Sequence, residues 1–273
     1  MLNNPLLVMM RQREIAPWQR KLGFTRTPYS LSPLGTRQLL AIFQGEASVP
    51  DRLWPYCYLG VPHVPDAGQR NFLSTLDFVF IELSALAEYR VGPVVLNAMR
   101  IRDMAARIAA MPDVPKGAAD IWLDRLGSAE PGARREAAKA ILKVYPRDTP
   151  EHEVEREIIV ELRIRNSRLT DIGDTLGMIR EAFPQARVAV VLFHFCYMSG
   201  ARAIDWPPEL NRHAIAATRD FKMPVFDPAG LVRQYGNDVA LDEDQRHWAP
   251  AFNAVVGRSL VDFARAHAAG RRT

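Results

Sequence analysis

The stretch Arg187–Phe195, RVAVVLFHF, constrains the fold more than any other part of the chain. Its apolar and β-branched residues run without polar alternation, directly after a helix stop at Pro184. A strand of that kind needs cover on both faces, which is the environment of a parallel sheet flanked by helices. Leu76–Leu83, LDFVFIEL, reads the same way, and Met223–Phe226 reads as a short strand closed by Asp227-Pro228.

Helical patterns lie between these strands. Val95, Leu96, Met99, Ile101, Met104, Ile108 and Met111 recur at helical spacing and stop at Pro112. Pro131–Val144 reads as one helix with proline near its first turn. Thr149-Pro150-Glu151 is a start signal: a hydroxyl cap, a proline at the first helical position, then an acid in the first turn. Ile158, Ile159, Leu162, Leu169, Ile172, Leu176 and Ile179 then predict a long helical stretch to about Phe183, in which Gly173 and Gly177 mark a break or a close packing face. Pro207-Pro208-Glu209 opens a helix to about Phe221. A last helix starts near Pro250 and carries Phe252, Val255, Val256, Leu260 and Phe263. Residues 1–70 are broken by repeated prolines, among them Pro17, Pro28, Pro33, Pro50, Pro55, Pro62 and Pro65, with Leu34, Leu39, Leu40, Ile42 and Phe43 lining a short helix. Strands alternating with helices predict an α/β fold, a three-layer sandwich with a mostly parallel sheet. The whole of 1–273 reads as a single domain, with 112–150 as an inserted helical region or lid.

Composition removes several classes. With 48% hydrophobic and 24% charged residues, the chain has the mix of a globular protein rather than a disordered one. No run of about eighteen apolar residues occurs, so no membrane-spanning helix is expected. Cys57 and Cys196 are too few for a disulfide framework, which points to a reducing compartment and a cytoplasmic location. Met1–Val8 is apolar but precedes Arg11, Arg13, Arg20 and Lys21, the reverse of a secretory signal, and the basic cluster reads as a solvated helix face. The net charge of +4 is too small to argue for nucleic acid as a partner.

Much common chemistry is missing. No two glycines are separated by a single residue, so the dinucleotide fingerprint cannot be built, and no phosphate loop is present. His152-Glu153 begins a zinc-protease motif, but Arg156 stands where the second histidine belongs. His194 between Phe193 and Phe195 reads as a core residue of its strand. No Gly-x-Ser-x-Gly elbow occurs. The aromatic loop Trp54-Pro55-Tyr56-Cys57-Tyr58 with His63 offers flat surfaces for sugar rings, and core packing is the favoured reading.

The segment Asp242-Glu243-Asp244-Gln245-Arg246-His247-Trp248 leads into the last helix. An acid and a histidine three residues apart, facing the end of a sheet, suit general-base chemistry. The carboxylate takes the proton of one ring nitrogen and leaves the other to accept from a hydroxyl nucleophile. A solvated acidic turn is the bland alternative.

The order strand 187–195, polar loop, helix, strand 223–226, Asp-Pro, then Asp244-x-x-His247 and a terminal helix resembles the last third of an SGNH, or GDSL-type, hydrolase. The resemblance implies an SGNH-like fold in which His247 is the base and Asp244 its orienting acid, with Asp242 a weaker candidate for the acid. It extends in part over 76–111, where Glu82-Leu83-Ser84 stands at the start of the family's middle block. The Gly-x-Asn-Asp-like loop of that block is replaced by Glu-Leu-Ser-Ala, with no asparagine until Asn97. No Gly-Asp-Ser-like turn precedes residue 70. Ser30 and Ser32 are loop serines whose favoured reading is a turn hydroxyl. Gly23–Thr27, with Gln38 and Gly45-Glu46, is similar to the stretch after the first strand in divergent bacterial members linked to surface polysaccharides.

Two explanations stay open for the nucleophile. Either the chain lacks the family's first strand, or Ser84 supplies the hydroxyl from the exit of strand 76–83. Glu82, with Glu88, Tyr89 and Arg90, forms a polar pocket rim or pairs with surface arginines. Trp206 and Trp248 flank polar loops, where either lines an acyl or sugar pocket or is buried over the sheet. The resemblance implies an ester hydrolase or O-acyltransferase acting on a small-molecule or glycan ester. No metal or bound redox cofactor is required, and acyl-CoA enters only for transfer. The alternative is a catalytically degenerate binding or scaffold protein in surface-polysaccharide assembly.

Overall fold

The computed structural model describes residues 32–57, 78–83, 86–127, 131–192, 196–199, 202–205, 208–242 and 248–268. In chain order these form helix α1 (Pro33–Gln44), strands β1 (Phe78–Glu82), β2 (Ala87–Val91) and β3 (Val94–Leu96), then helices α2 (Ala98–Ala109), α3 (Ala118–Asp124), α4 (Pro131–Val144) and α5 (Pro150–Glu161). Strand β4 (Arg163–Asn166), helix α6 (Leu169–Ala182), strands β5 (Arg187–Val191), β6 (Cys196–Ser199) and β7 (Arg202–Asp205), and helix α7 (Pro208–Phe221) follow. The chain ends in strand β8 (Val225–Phe226) and helices α8 (Ala229–Tyr235), α9 (Asn237–Ala240) and α10 (Phe252–Ala268). Two compact units result. A helical unit takes Pro28–Val64 and Ala85–Arg168; a sheet unit takes Met1–Thr27, Pro65–Ser84 and Leu169–Thr273.

In the helical unit, Ser32 caps α1 by accepting a hydrogen bond from the Gly35 amide at 3.0 Å, so this serine is the expected turn hydroxyl. Gln38 of α1 then acts as an extra strand residue on the edge of β3. Its Nε2 donates to the Val95 carbonyl at 2.9 Å and its Oε1 accepts from the Val95 amide at 2.7 Å. The core gathers Leu53, Trp54, Ile101, Met104, Ile108, Trp122, Ile141, Ile158 and Ile159. Trp122 is fully buried and its indole N–H donates to the Ile159 carbonyl at 3.0 Å. Trp54, Tyr56 and Cys57 are buried here, which places this part of the aromatic loop in the core; Tyr58 and His63 lie outside the described residues. Burial also pushes the Cys57 thiol up to about 12.

Buried Glu155 anchors this unit. It accepts from the Tyr56 hydroxyl at 2.9 Å, from the Tyr145 hydroxyl and from the half-exposed Arg107 guanidinium. Burial and the adjacent carboxylate push both phenols upward, so they stay protonated donors.

One long helix from 149 to 183 is not what forms. Thr149 does cap α5, accepting from the His152 amide at 3.1 Å, but the helix stops at Glu161. Residues Arg163–Asn166 instead pair antiparallel with β2, and the Ser167 amide donates to the Leu86 carbonyl. Sheet pairing with a segment far away in sequence overrides a helical period that Ile158, Ile159 and Leu162 carry locally. Likewise Val95 and Leu96 join β3, and α2 begins only after Asn97, which caps it by accepting from the Met99 amide at 2.8 Å.

The fold is mixed α/β, with small sheets in place of one mostly parallel sheet. Among the described residues one three-stranded sheet, β1-β5-β8, is parallel; the β3-β2-β4 sheet and the β6-β7 hairpin are antiparallel. The two-residue connection Gly92-Pro93, with Gly92 at φ 55°, returns β3 against β2 as a hairpin, which a parallel crossover could not do. Among the described residues no helix is long and apolar enough to cross a membrane.

Candidate functional site

The direction of α10 orients the sheet unit. Arg187, the first residue of β5, donates through its guanidinium to the carbonyl of His267 in the last turn of α10. One turn earlier, Phe263 packs on Phe226 and Phe80, with ring centroids 5.4 and 6.3 Å apart. The helix therefore runs antiparallel to the three strands. Its seventeen residues span about 25 Å at 1.5 Å per residue, so its amino terminus reaches past the carboxyl ends of the strands. Ligand sites of parallel α/β sheets lie at this end.

The chain arrives there through a closed turn. Leu241 and Trp248 form an antiparallel bridge, which brings together the two described ends of the stretch 242–247. Both are buried in one cluster with Phe226, Ala240 and Phe252, against which Val191 packs. Phe226 and Val191 are the last residues of β8 and β5. Trp248 is thus buried, its ring 5.5 Å from that of Phe252. Asp244 and His247 fall within residues 243–247, outside the described residues, as do Ser84 and Trp206.

Glu82 is a second described member of the sequence-derived set, beside Trp248, that stands at this rim. It ends β1 and is paired in register with Val191, which is paired with Phe226. Residues in one cross-strand row point to one face of the sheet, so Glu82 shares the face of the Phe226 cluster and of Phe80, two residues before it. Its side chain keeps solvent access. Dense protein around it still strips water from the carboxyl, whose protonation is pushed up to about 7.

Glu82 belongs to the sheet unit; Glu88, Tyr89 and Arg90 do not. They belong to the helical unit, where Glu88 is buried and its Oε1 accepts from the Leu34 amide at 2.9 Å and from the Ser167 hydroxyl. Tyr89 lies in the core. His152 pairs with Asp148 at 2.7 Å at the exposed start of α5.

Two described residues near the rim carry no sequence motif. Asp227, directly after β8, accepts from the Ala229 amide at 2.9 Å and from Arg233 at 3.5 Å, so it caps α8. Tyr235, at the end of α8, sets its ring edge-on against Phe252 at 5.4 Å. Only the packing of α8 against α10 reveals it. A shallow groove of about 470 Å³ lies elsewhere, on α5 in the helical unit. Within it Arg52 forms a two-pronged pair with Glu157, and Arg156 donates to the Leu142 and Tyr145 carbonyls. No residue of the sequence-derived set lines it, so the strand rim is the stronger candidate.

Neither a curated protein nor a solved structure matches the chain. A family model, the TviD N-terminal domain, matches residues 1–263.

Proposed function

Because the chain belongs to the TviD N-terminal domain family, we propose that it acts in the biosynthesis or modification of Vi-type polysaccharide, as an SGNH-like O-acyltransferase or esterase. The observation that carries this reading is the shared rim. The exit of β1, two residues before Ser84, and the bridged ends of the stretch holding Asp244 and His247 belong to the same end and face of one parallel sheet.

In this reading Asp244 accepts from one ring nitrogen of His247, and the other nitrogen takes the Ser84 hydroxyl proton as the serine oxygen attacks the acyl carbonyl. The tetrahedral oxyanion collapses, the carbonyl–leaving-group bond breaks, and His247 returns the proton to the leaving group. A glycan hydroxyl, or water, then attacks the acyl-serine and gives its proton to His247; the bond between the acyl carbon and the Ser84 oxygen breaks, the acyl group leaves on the acceptor, and His247 returns the proton to Ser84. Glu82 binds substrate hydroxyls beside this centre, Trp206 contributes a wall, and buried Trp248 holds the base of the catalytic turn.

The test is turnover of short-chain aryl esters, and transfer from an acyl donor to purified Vi polysaccharide, by the full chain and by its Ser84→Ala and His247→Ala variants. Each variant should lose on the order of 1,000-fold in kcat with unchanged folding. Turnover equal to that of the parent chain in both variants would remove serine–histidine chemistry. Polysaccharide binding by a chain that turns over no ester would favour the scaffold role.

A further inference from the structure

The last carbonyls of an α-helix have no partner within it. At the end of α5 two arginines from different elements close on the same two of them. Arg134 of α4 donates through Nη1 to the Leu162 oxygen at 3.2 Å and through Nη2 to the Val160 oxygen at 3.4 Å. Arg163, the first residue of β4, donates through Nη1 to those same oxygens at 2.9 and 3.0 Å. Sharing two acceptors sets the guanidiniums side by side. One cation would be enough to cap these carbonyls. The second brings repulsion: partial burial, and then the charge of Arg163, push the Arg134 guanidinium below its ordinary value, while Glu161 pulls the other way. Among the described residues neither arginine forms an ion pair.

Arg90 is a third cation beside them. It stands directly opposite Arg163 in the β2–β4 ladder, so both side chains leave the same face of the sheet. Like charges in that relation oppose the pairing of the strands. The neighbouring row carries opposite signs, because Glu88 stands opposite Arg165. The row of Arg90 does not, since its third member is Val95. Nε of Arg90 is also buried and has no hydrogen-bond partner. A buried donor on a charged group is costly to leave unmade.

We infer that Arg90, Arg134 and Arg163 form a binding site for an oxyanion, the phosphate or carboxylate group of a ligand. Each guanidinium carries five N–H donors in a fixed fork. The two carbonyls hold Arg134 and Arg163 in place without using all of theirs. An oxyanion accepts from the remainder in charge-assisted hydrogen bonds and relieves the repulsion. A neutral ligand would leave that repulsion in place, and a metal cation would add to it. All three arginines lie in the helical unit, so the site stands or falls independently of the ester chemistry proposed for the sheet unit.

Isothermal titration of the full chain with inorganic phosphate, and separately with sodium glucuronate, at constant ionic strength tests this. The better of the two should bind saturably, with a dissociation constant on the order of 1 mM or tighter. Tighter phosphate binding identifies a phosphate ester as the group the site takes; tighter glucuronate binding identifies an acidic sugar. Arg163→Gln and Arg90→Gln should each weaken that binding about tenfold or more, because each removes charge-assisted hydrogen bonds. Arg102→Gln removes an exposed positive charge from α2 and should bind like the parent. Thermal melts accompany the variants. Arg90→Gln breaks no hydrogen bond of Nε and decides the matter alone if Arg163→Gln melts early. Equal binding by Arg90→Gln and the parent, an equal loss in Arg102→Gln, or no saturable binding of either anion overturns the site.

Discussion

Glu82 shows how one carboxyl links the rim to solution conditions. Its protonation is raised from the ordinary 4.5 to about 7, because burial disfavours the charged form. Between those values the folded chain keeps a proton that the unfolded chain has released. The resulting stability is fully present below about pH 4.5 and is lost as pH rises through 7. Glu82→Gln removes the titration. It should melt with the parent at pH 4.5 and above it at pH 8. Because the side chain keeps solvent contact, the difference is screened to on the order of 1 kcal/mol, or about 2–4 °C. Thermal melts at the two pH values check this, and equal melting at pH 8 would remove the desolvated carboxyl. Glu82, Asp244 and His247, to which the proposed reading gives roles, are legible as residue types in the sequence. That Glu88 is structural is not, because its partners Leu34 and Ser167 lie 54 and 79 residues away.

At the scale of elements, local signals did most of the work. The proline start of α4, the Thr149-Pro150 start of α5 and the Asp227-Pro228 stop after β8 act within a few residues, so they appear where the sequence puts them. Gly177 resolves as a packing residue, since a Cβ there would lie 3.6 Å from the Phe221 ring of α7. That is ordinary contact, and nothing lies within 4 Å of a Cβ on Gly173. Gly177→Ala should therefore stabilise the chain by about 0.5–1 kcal/mol through helix propensity. Gly177→Leu should destabilise it by pushing α6 away from α7. Denaturant midpoints compare the two, and a destabilised alanine variant would mean that the helices sit closer than described. Strand β4 is the element that local signals misreport. Arg163–Asn166 has helix-forming neighbours on both sides, and only β2, more than seventy residues earlier, makes it a strand.

For the whole molecule, the two units carry separate apolar cores, one around Trp122 and Ile158, the other including Phe226, Trp248 and Phe252. Trp122→Ala should cost about 3–5 kcal/mol, the usual loss for a buried aromatic, and it also orphans the Ile159 carbonyl. Calorimetry should show one component of the unfolding transition moving down while the other stays in place. A uniform shift of the whole transition would mean that the chain unfolds as one cooperative body. The chain alone determined the strands β1, β5 and β8, most helix starts and stops, and the acid–histidine spacing, because each depends on covalent neighbours and local burial period. Tertiary structure decided the small antiparallel sheets, the commitment of Glu88 to a helix start, and the gathering of β1, β8 and the Leu241–Trp248 bridge at one rim. Those outcomes depend on which distant segments exclude water from one another, and a one-dimensional pattern of apolar residues does not encode that choice of partner.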